Sequence, residues 1–169
     1  EGGGHFVQEW GEAIAPAATF RIVVVDAARR PIVGAVVLAW CEGDFAVAEH
    51  ATDADGAIVV PAREANGGLV AIAGDGAFGV AHPVAWRGEH TQVLSDGAAL
   101  TGVVLVAGQP APAGLRLRLT TTDFGLPASA PNALRTRLAA LAGERRIVTA
   151  AAGTFAAKGL PAGWHGTLE

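Results

Sequence analysis

A chain of 169 residues, 51% of them hydrophobic and 17% charged, is long enough for one large or two small cores and too apolar to stay disordered. Its formal net charge of −4, with arginines scattered along it and a single lysine at Lys158, provides no basic stripe for nucleic acid. No apolar run approaches the ~20 residues that a membrane helix requires, and the lone cysteine, Cys41, excludes an internal disulfide framework or a multi-cysteine zinc site.

Residues 1–17 begin with Gly2-Gly3-Gly4 and close at Pro16. Between them, His5-Phe6-Val7-Gln8-Glu9-Trp10 alternates, with Phe6, Gln8 and Trp10 on one face and His5, Val7 and Glu9 on the other. This is an arm, not a domain. The chain has no methionine, so it is expected to be a processed or excised piece of a longer product, and its lack of a leader says nothing about location.

Strands are predicted at residues 20–25, 35–40, 45–51, 57–60, 69–73, 78–84 and 91–94. Each is a short apolar run bounded by turn residues: 26–31, Glu42-Gly43-Asp44, 53–56, Asn66-Gly67-Gly68 and Gly74-Asp75-Gly76. Runs such as Ile22-Val23-Val24-Val25 are nearly continuous, which predicts strands covered on both faces or central in a sheet. Cys41, beside Trp40, reads as a small buried hydrophobe. The first domain, residues 18–97, is thus expected to be a β-sandwich.

At Ser95-Asp96-Gly97 a second copy begins without a linker, with strands predicted at 100–106, 115–120, 147–151, 154–157 and 164–168. Pro31 and Gly34 recur as Pro110 and Gly114, and Thr52 and Gly56 recur as Thr149 and Gly153. Gly34 to Gly56 is 22 residues and Gly114 to Gly153 is 39, so the second copy carries an insertion of 17. Asn132 as N-cap, Leu134, Leu138 and Leu141 on one face, and Gly143 past the end predict a short helix over 132–142, an extra strand over 136–141 being the alternative.

From Gly56 the first copy runs 41 residues to Gly97, whereas from Gly153 only 16 remain before Glu169. The second domain, residues 98–169, is expected to lack its last two strands, either because the chain was cut there or because another strand completes it. Phe6, Val7, Trp10 and Ile14 of the arm are the candidate donor residues, since an open sandwich invites pairing with another chain and a head-to-tail contact need not close.

The two Pro-Gly turns, Thr52-Asp53-Ala54-Asp55-Gly56, and Gly153-Thr154-Phe155 leading to Gly159-Leu160-Pro161-Ala162-Gly163-Trp164 resemble the carboxypeptidase regulatory-like modules of the transthyretin-like (prealbumin-like) β-sandwich superfamily. The resemblance covers residues 18–169 and implies an all-β chain of two tandem sandwiches. It also implies an extracellular or cell-surface role without catalysis or cofactor: structural, adhesive or spacer. Ring-cleaving dioxygenases of this fold ligate iron with tyrosine, and this chain has none. Modules sealed by an isopeptide bond need a core lysine, and Lys158 lies late in the second domain.

Four stretches carry candidate chemistry. Asp53 and Asp55 stand at alternate positions like calcium ligands, but no bidentate Glu follows and the second copy replaces both with Ala, so Pro31, Gly34, Asp53, Asp55, Gly56 and Gly153 are read as structural turns. His82, Glu89 and His90 are close enough in sequence to meet across a hairpin, though their loose spacing is that of surface histidines. Ser95 and Ser129 lie in turn or Pro-rich contexts without a nucleophile elbow. Of the four tryptophans, Trp86, flanked by Pro83 and Arg87-Gly88, is expected to be the most exposed and is the candidate for stacking on a sugar ring. Two functions follow: a structural or assembly subunit that associates with itself or with neighbouring domains of a longer chain, or a glycan-binding adhesive module.

Overall fold

The computed structural model describes residues 19–43, 46–95, 97–160 and 165–169. The first copy forms two facing sheets. One has the order β4-β1-β7, from β4 (Ala57–Pro61), β1 (Thr19–Val25) and β7 (Gly88–Val93). The other has the order β3-β2-β5-β6, from β3 (Ala48–Ala51), β2 (Val36–Cys41), β5 (Asn66–Ile72) and β6 (Phe78–Ala85). β1 pairs antiparallel with β4 and parallel with β7. Phe20, Ile22 and Val24 of β1 meet Val37, Ala39, Leu69 and Ala71 of the facing sheet, and Trp86 and Leu94 complete the core. Alternation along each strand sends these residues inward.

The second copy repeats the plan. β8 (Ala98–Val103) pairs with β13 (Thr154–Leu160), as β1 pairs with β4. β11 (Arg116–Asp123) lies between β12 (Glu144–Val148) and β14 (His165–Leu168), as β2 lies between β3 and β5. A two-residue pairing joins β9 (Leu105–Val106) and β10 (Gln109–Pro110). The chain is all-β with one α-helix among the described residues, and no sheet there mixes strands of the two copies.

The likeness extends to single hydrogen bonds. Thr52 Oγ1 donates to the Ile32 carbonyl at 2.6 Å and accepts from the Ala35 N–H at 2.9 Å. Thr149 Oγ1 donates to the Pro112 carbonyl at 2.6 Å and accepts from the Leu115 N–H at 3.0 Å. Gly56 and Gly153 both hold left-handed φ, 69° and 68°, and their carbonyls accept from Val24 and Val104 at 2.8 and 2.9 Å. Each threonine is buried and ties the turn before the second strand of its copy to the turn after the third. Thr52→Val and Thr149→Val are each expected to cost about 1–3 kcal/mol, because each leaves a backbone N–H and carbonyl unpaired, while the Ser variants retain most of the stability. Denaturant melts of the four variants check this; a Thr→Val variant as stable as the parent chain would count against the clamp.

The insertion is helical: α1 spans Asn132–Ala142. Its cap differs from the expectation. Pro131, at φ −66° and ψ 150°, is the N-cap without a side-chain bond, so Asn132 is the first helical residue. Leu134 and Leu138 are fully buried, whereas Leu141 is exposed. Together with Phe124 and Ala130 they cover Leu38, Trp40, Val70 and Phe78, the outer face of the first copy's four-stranded sheet. This explains why β2 reads as a continuous apolar run: one face looks into the sandwich and the other at the second copy's insertion.

Asn66-Gly67-Gly68, expected as a turn, lies inside β5. A Cβ on Gly67 would collide with the Trp40 carbonyl and stand 2.6 Å from the Trp86 indole nitrogen, and one on Gly68 would enter the Trp40 ring. Here glycine serves close approach, not reversal. The strand expected at 45–51 begins at Ala48 among the described residues. The one expected at 147–151 is Glu144–Val148, because Ala151–Gly153 forms a 3-10 turn.

Candidate functional site: the open edge of the second copy

In the first copy β1 has a strand on each side, β4 and β7. In the second copy β8 has β13 on one side and, among the described residues, no strand on the other. Counterparts of β6 and β7 are likewise not among the described residues. The inner face behind this edge is small: Leu119, Ala157 and Leu160 are buried, with Leu100 and Ile147 packed against them. Where the first copy has Ile22 beside Ile58, the second has Gly102 beside Phe155, whose ring would lie 2.7 Å from a Cβ on Gly102. A groove of about 490 Å³ over β8 and β13 is lined by Thr101, Gly102, Val103, Val148, Thr154 and Phe155. Val103, Leu105, Val106 and Val148 are each more than half exposed along this side. A row of backbone groups without a strand partner among the described residues, beside exposed apolar side chains, is a surface suited to adding a strand.

The copy that carries this edge is fastened to the first. Besides the α1 contact, Arg137 of α1 forks onto the carboxylate of Glu49 in β3, with Nε–Oε2 at 2.6 Å and Nη2–Oε1 at 2.8 Å. These hydrogen bonds hold the Glu49 carboxyl below its ordinary range and raise the Arg137 guanidinium. Arg145 donates to the carbonyls of Lys158 and Gly159, and its guanidinium sits where a side chain on Gly76, in the β5–β6 turn of the first copy, would go. These interfacial residues carry no sequence motif; the 17-residue insertion is their one visible signal.

The other sequence candidates fall elsewhere. Trp86 is 3% exposed and makes an edge-to-face contact with Phe20 at 5.2 Å, so neither face of its ring is offered to a sugar. The flanking Pro83 and Gly88 suggest a surface loop, but the residue turns inward onto the space that Gly67 leaves. Neither its indole N–H nor that of Trp40 finds a partner among the described residues. His82, Glu89 and His90 do not converge: His82 faces Glu42, Glu89 pairs with Arg21 at 2.6 Å, and His90 lies beside Gln92.

Ser129 Oγ approaches His82 at 3.4 Å and Glu42 approaches it at 3.2 Å, but both contacts fall on Nε2. A relay needs the base and its orienting carboxylate on opposite ring nitrogens, so this cluster cannot activate the serine. Asp53 Oδ1 accepts from the N–H groups of Asp55 and Ala57 at 2.9 and 2.8 Å. Asp55 donates its backbone N–H within that turn. Pro31 makes a bridge to Val25, and Gly34 has φ 71°. Phe6, Val7, Trp10 and Ile14 lie outside the described residues.

No family model matches the sequence, and no curated protein matches it. Among solved structures, the chain is similar to a Streptococcal ancillary pilin, with a TM-score of 0.35 and 13% identity over 85% of this chain and 50% of that one. The pilus backbone from Streptococcus pneumoniae gives a TM-score of 0.31 and 13% identity over 85% and 51%. The Bacillus anthracis TIE protein gives 0.31 and 14% over 83% and 26%. The chain thus spans about half of each pilin and about a quarter of the third. Likeness at this level decides nothing about activity or partners. No helix among the described residues is long and apolar enough to cross a membrane.

Proposed function

We propose that the chain is a non-catalytic structural module of the cell exterior, built from two transthyretin-like sandwiches, residues 18–97 and 98–169. In this reading it polymerises head to tail, the open edge of the second sandwich taking up the N-terminal arm, residues 1–17, of another copy. The observation that carries the reading is that β8, among the described residues, has no strand on the side where β1 carries β7, in a copy that otherwise repeats the pairings of β1 to β5. The stiff join between the copies supports it, because a subunit that hinged freely would not transmit a fixed rise along a filament. The resemblance to carboxypeptidase regulatory-like modules supports an extracellular setting. The glycan-binding alternative loses its ring with the burial of Trp86.

Deleting residues 1–17 tests the reading. The full-length chain is expected to form ordered filaments by negative-stain electron microscopy and large species by sedimentation, and the shortened chain is expected to remain monomeric. Filaments that persist after the deletion, or a full-length chain that stays monomeric at every concentration, would overturn it.

A further inference from the structure

Resting on that reading, we infer that the arm enters the second sandwich parallel to β8, in the register that β7 takes on β1. The first copy supplies the template. β7 runs parallel to β1 with Phe20 opposite Gly88, Ile22 opposite His90 and Val24 opposite Gln92. Val24 corresponds to Val104 through the shared bonds to Gly56 and Gly153, so Phe20 corresponds to Leu100 and Ile22 to Gly102.

The arm carries the pattern of β7. Gly88-Glu89-His90-Thr91-Gln92-Val93-Leu94 stands against Gly4-His5-Phe6-Val7-Gln8-Glu9-Trp10. The glycine and the glutamine coincide, and Trp10 falls where Leu94 closes the first core at 1% exposure. Gln92 is a buried polar residue whose amide donates to the Val93 carbonyl at 3.0 Å, a local bond that Gln8 can reproduce. Phe6 falls opposite Gly102, beside the Phe155 ring that covers that glycine. In this register Gly4, Phe6, Gln8 and Trp10 face inward and His5, Val7 and Glu9 face out.

The occupant is a second copy because of where the chain enters and leaves the first sandwich. β7 ends beside the end of β1, with the Leu94 N–H bonded to the Val25 carbonyl, and the second copy starts from there. The arm joins at Thr19, the opposite end of β1, a strand of seven residues. The donor and the acceptor edge therefore belong to opposite ends of the subunit, which leads to an open chain of copies.

The register is tested by cysteine pairs placed on separate full-length molecules, each also carrying Cys41→Ala. Parallel docking sets His5 opposite Thr101 and Glu9 opposite Leu105. Mixing His5→Cys with Thr101→Cys, or Glu9→Cys with Leu105→Cys, is expected to give covalent dimers on oxidation. The crossed mixtures, His5→Cys with Leu105→Cys and Glu9→Cys with Thr101→Cys, are expected to give none, since a shift of four residues separates the thiols by about 13 Å, beyond a disulfide's reach.

Dimers from the crossed mixtures would show an antiparallel strand and overturn the register. A link that forms only when both cysteines sit on one molecule would show that the arm serves its own chain. If no pair links although deleting residues 1–17 abolishes the filaments, strand donation stands and this slot is wrong. If the deletion leaves the filaments intact, the underlying reading itself fails.

Discussion

Replacing Leu134 and Leu138 together by alanine is expected to be the most damaging pair of substitutions in the second copy, although both residues lie outside the sandwiches. Each side chain is fully buried, and truncating a buried leucine costs about 2–5 kcal/mol through lost transfer energy and the cavity left behind. Two such losses rival the ~5–15 kcal/mol that holds a whole domain together. The damage should be specific, because the leucines are the main apolar bond between the copies. With α1 released, Leu38, Trp40 and Val70 on the outer face of the first sandwich lose their cover. The double variant should melt well below the parent chain, and its two halves should tumble separately in NMR relaxation measurements. Leu141→Ala is the control: that side chain is exposed, and its loss should stay within about 0.5 kcal/mol. A double variant that melts like the parent chain would show that the helix does not fasten the copies.

Turn chemistry makes the sandwich plan readable from the residues alone; burial on the far side of a strand leaves no such mark. The Pro-Gly and Thr-Gly spacings mark positions where the backbone must bend in one way, and they place β1, β2 and β4 within one residue of their bounds, while β11 runs three residues past its expected end. Counting between those glycines also gives the length of the insertion, and the leucine spacing gives its helix. What the insertion touches is not readable, because Leu134 and Leu138 meet Leu38 and Val70 across a sequence distance that no local pattern spans. The continuous apolar stretch of β2 announces a covered outer face without naming the cover. Trp86 and Asn66-Gly67-Gly68 mislead for one reason. Glycine beside a large ring looks like a loop in sequence, and here the missing side chains make room for Trp40 and Trp86. That β7 runs parallel to β1 is not readable from the residues and needs the pairing itself.

Two glycines of the first copy share a backbone conformation but should differ sharply in what a methyl group costs. Gly34 has φ 71° and Gly56 has φ 69°, so alanine at either position bears the left-handed penalty of about 1–2 kcal/mol. At Gly34 nothing lies within 4 Å of the added carbon, and the penalty ends there. At Gly56 the same carbon would stand 2.8 Å from the Val24 carbonyl oxygen, 2.9 Å from Cβ of Pro31 and 3.0 Å from the Ile32 nitrogen. None of these is the free end of a flexible side chain. The Ile32 N–H is moreover bonded to the Val24 carbonyl at 2.9 Å, so making room means opening the bond that ties β1 to its following turn. Gly56→Ala is therefore expected to cost about 3 kcal/mol or more, at the upper end of single-residue strain, and Gly34→Ala about 1. The second copy provides an independent repetition: a carbon on Gly153 would meet the Val104 carbonyl oxygen at 2.5 Å and the Ala111 nitrogen at 2.8 Å, while Gly114 has open space. The same order should hold there, with Gly153→Ala far worse than Gly114→Ala. Denaturant melts of the four variants decide it; equal losses within either pair would mean that conformation alone sets the cost and that the shared packing around Gly56 and Gly153 does not hold the turns.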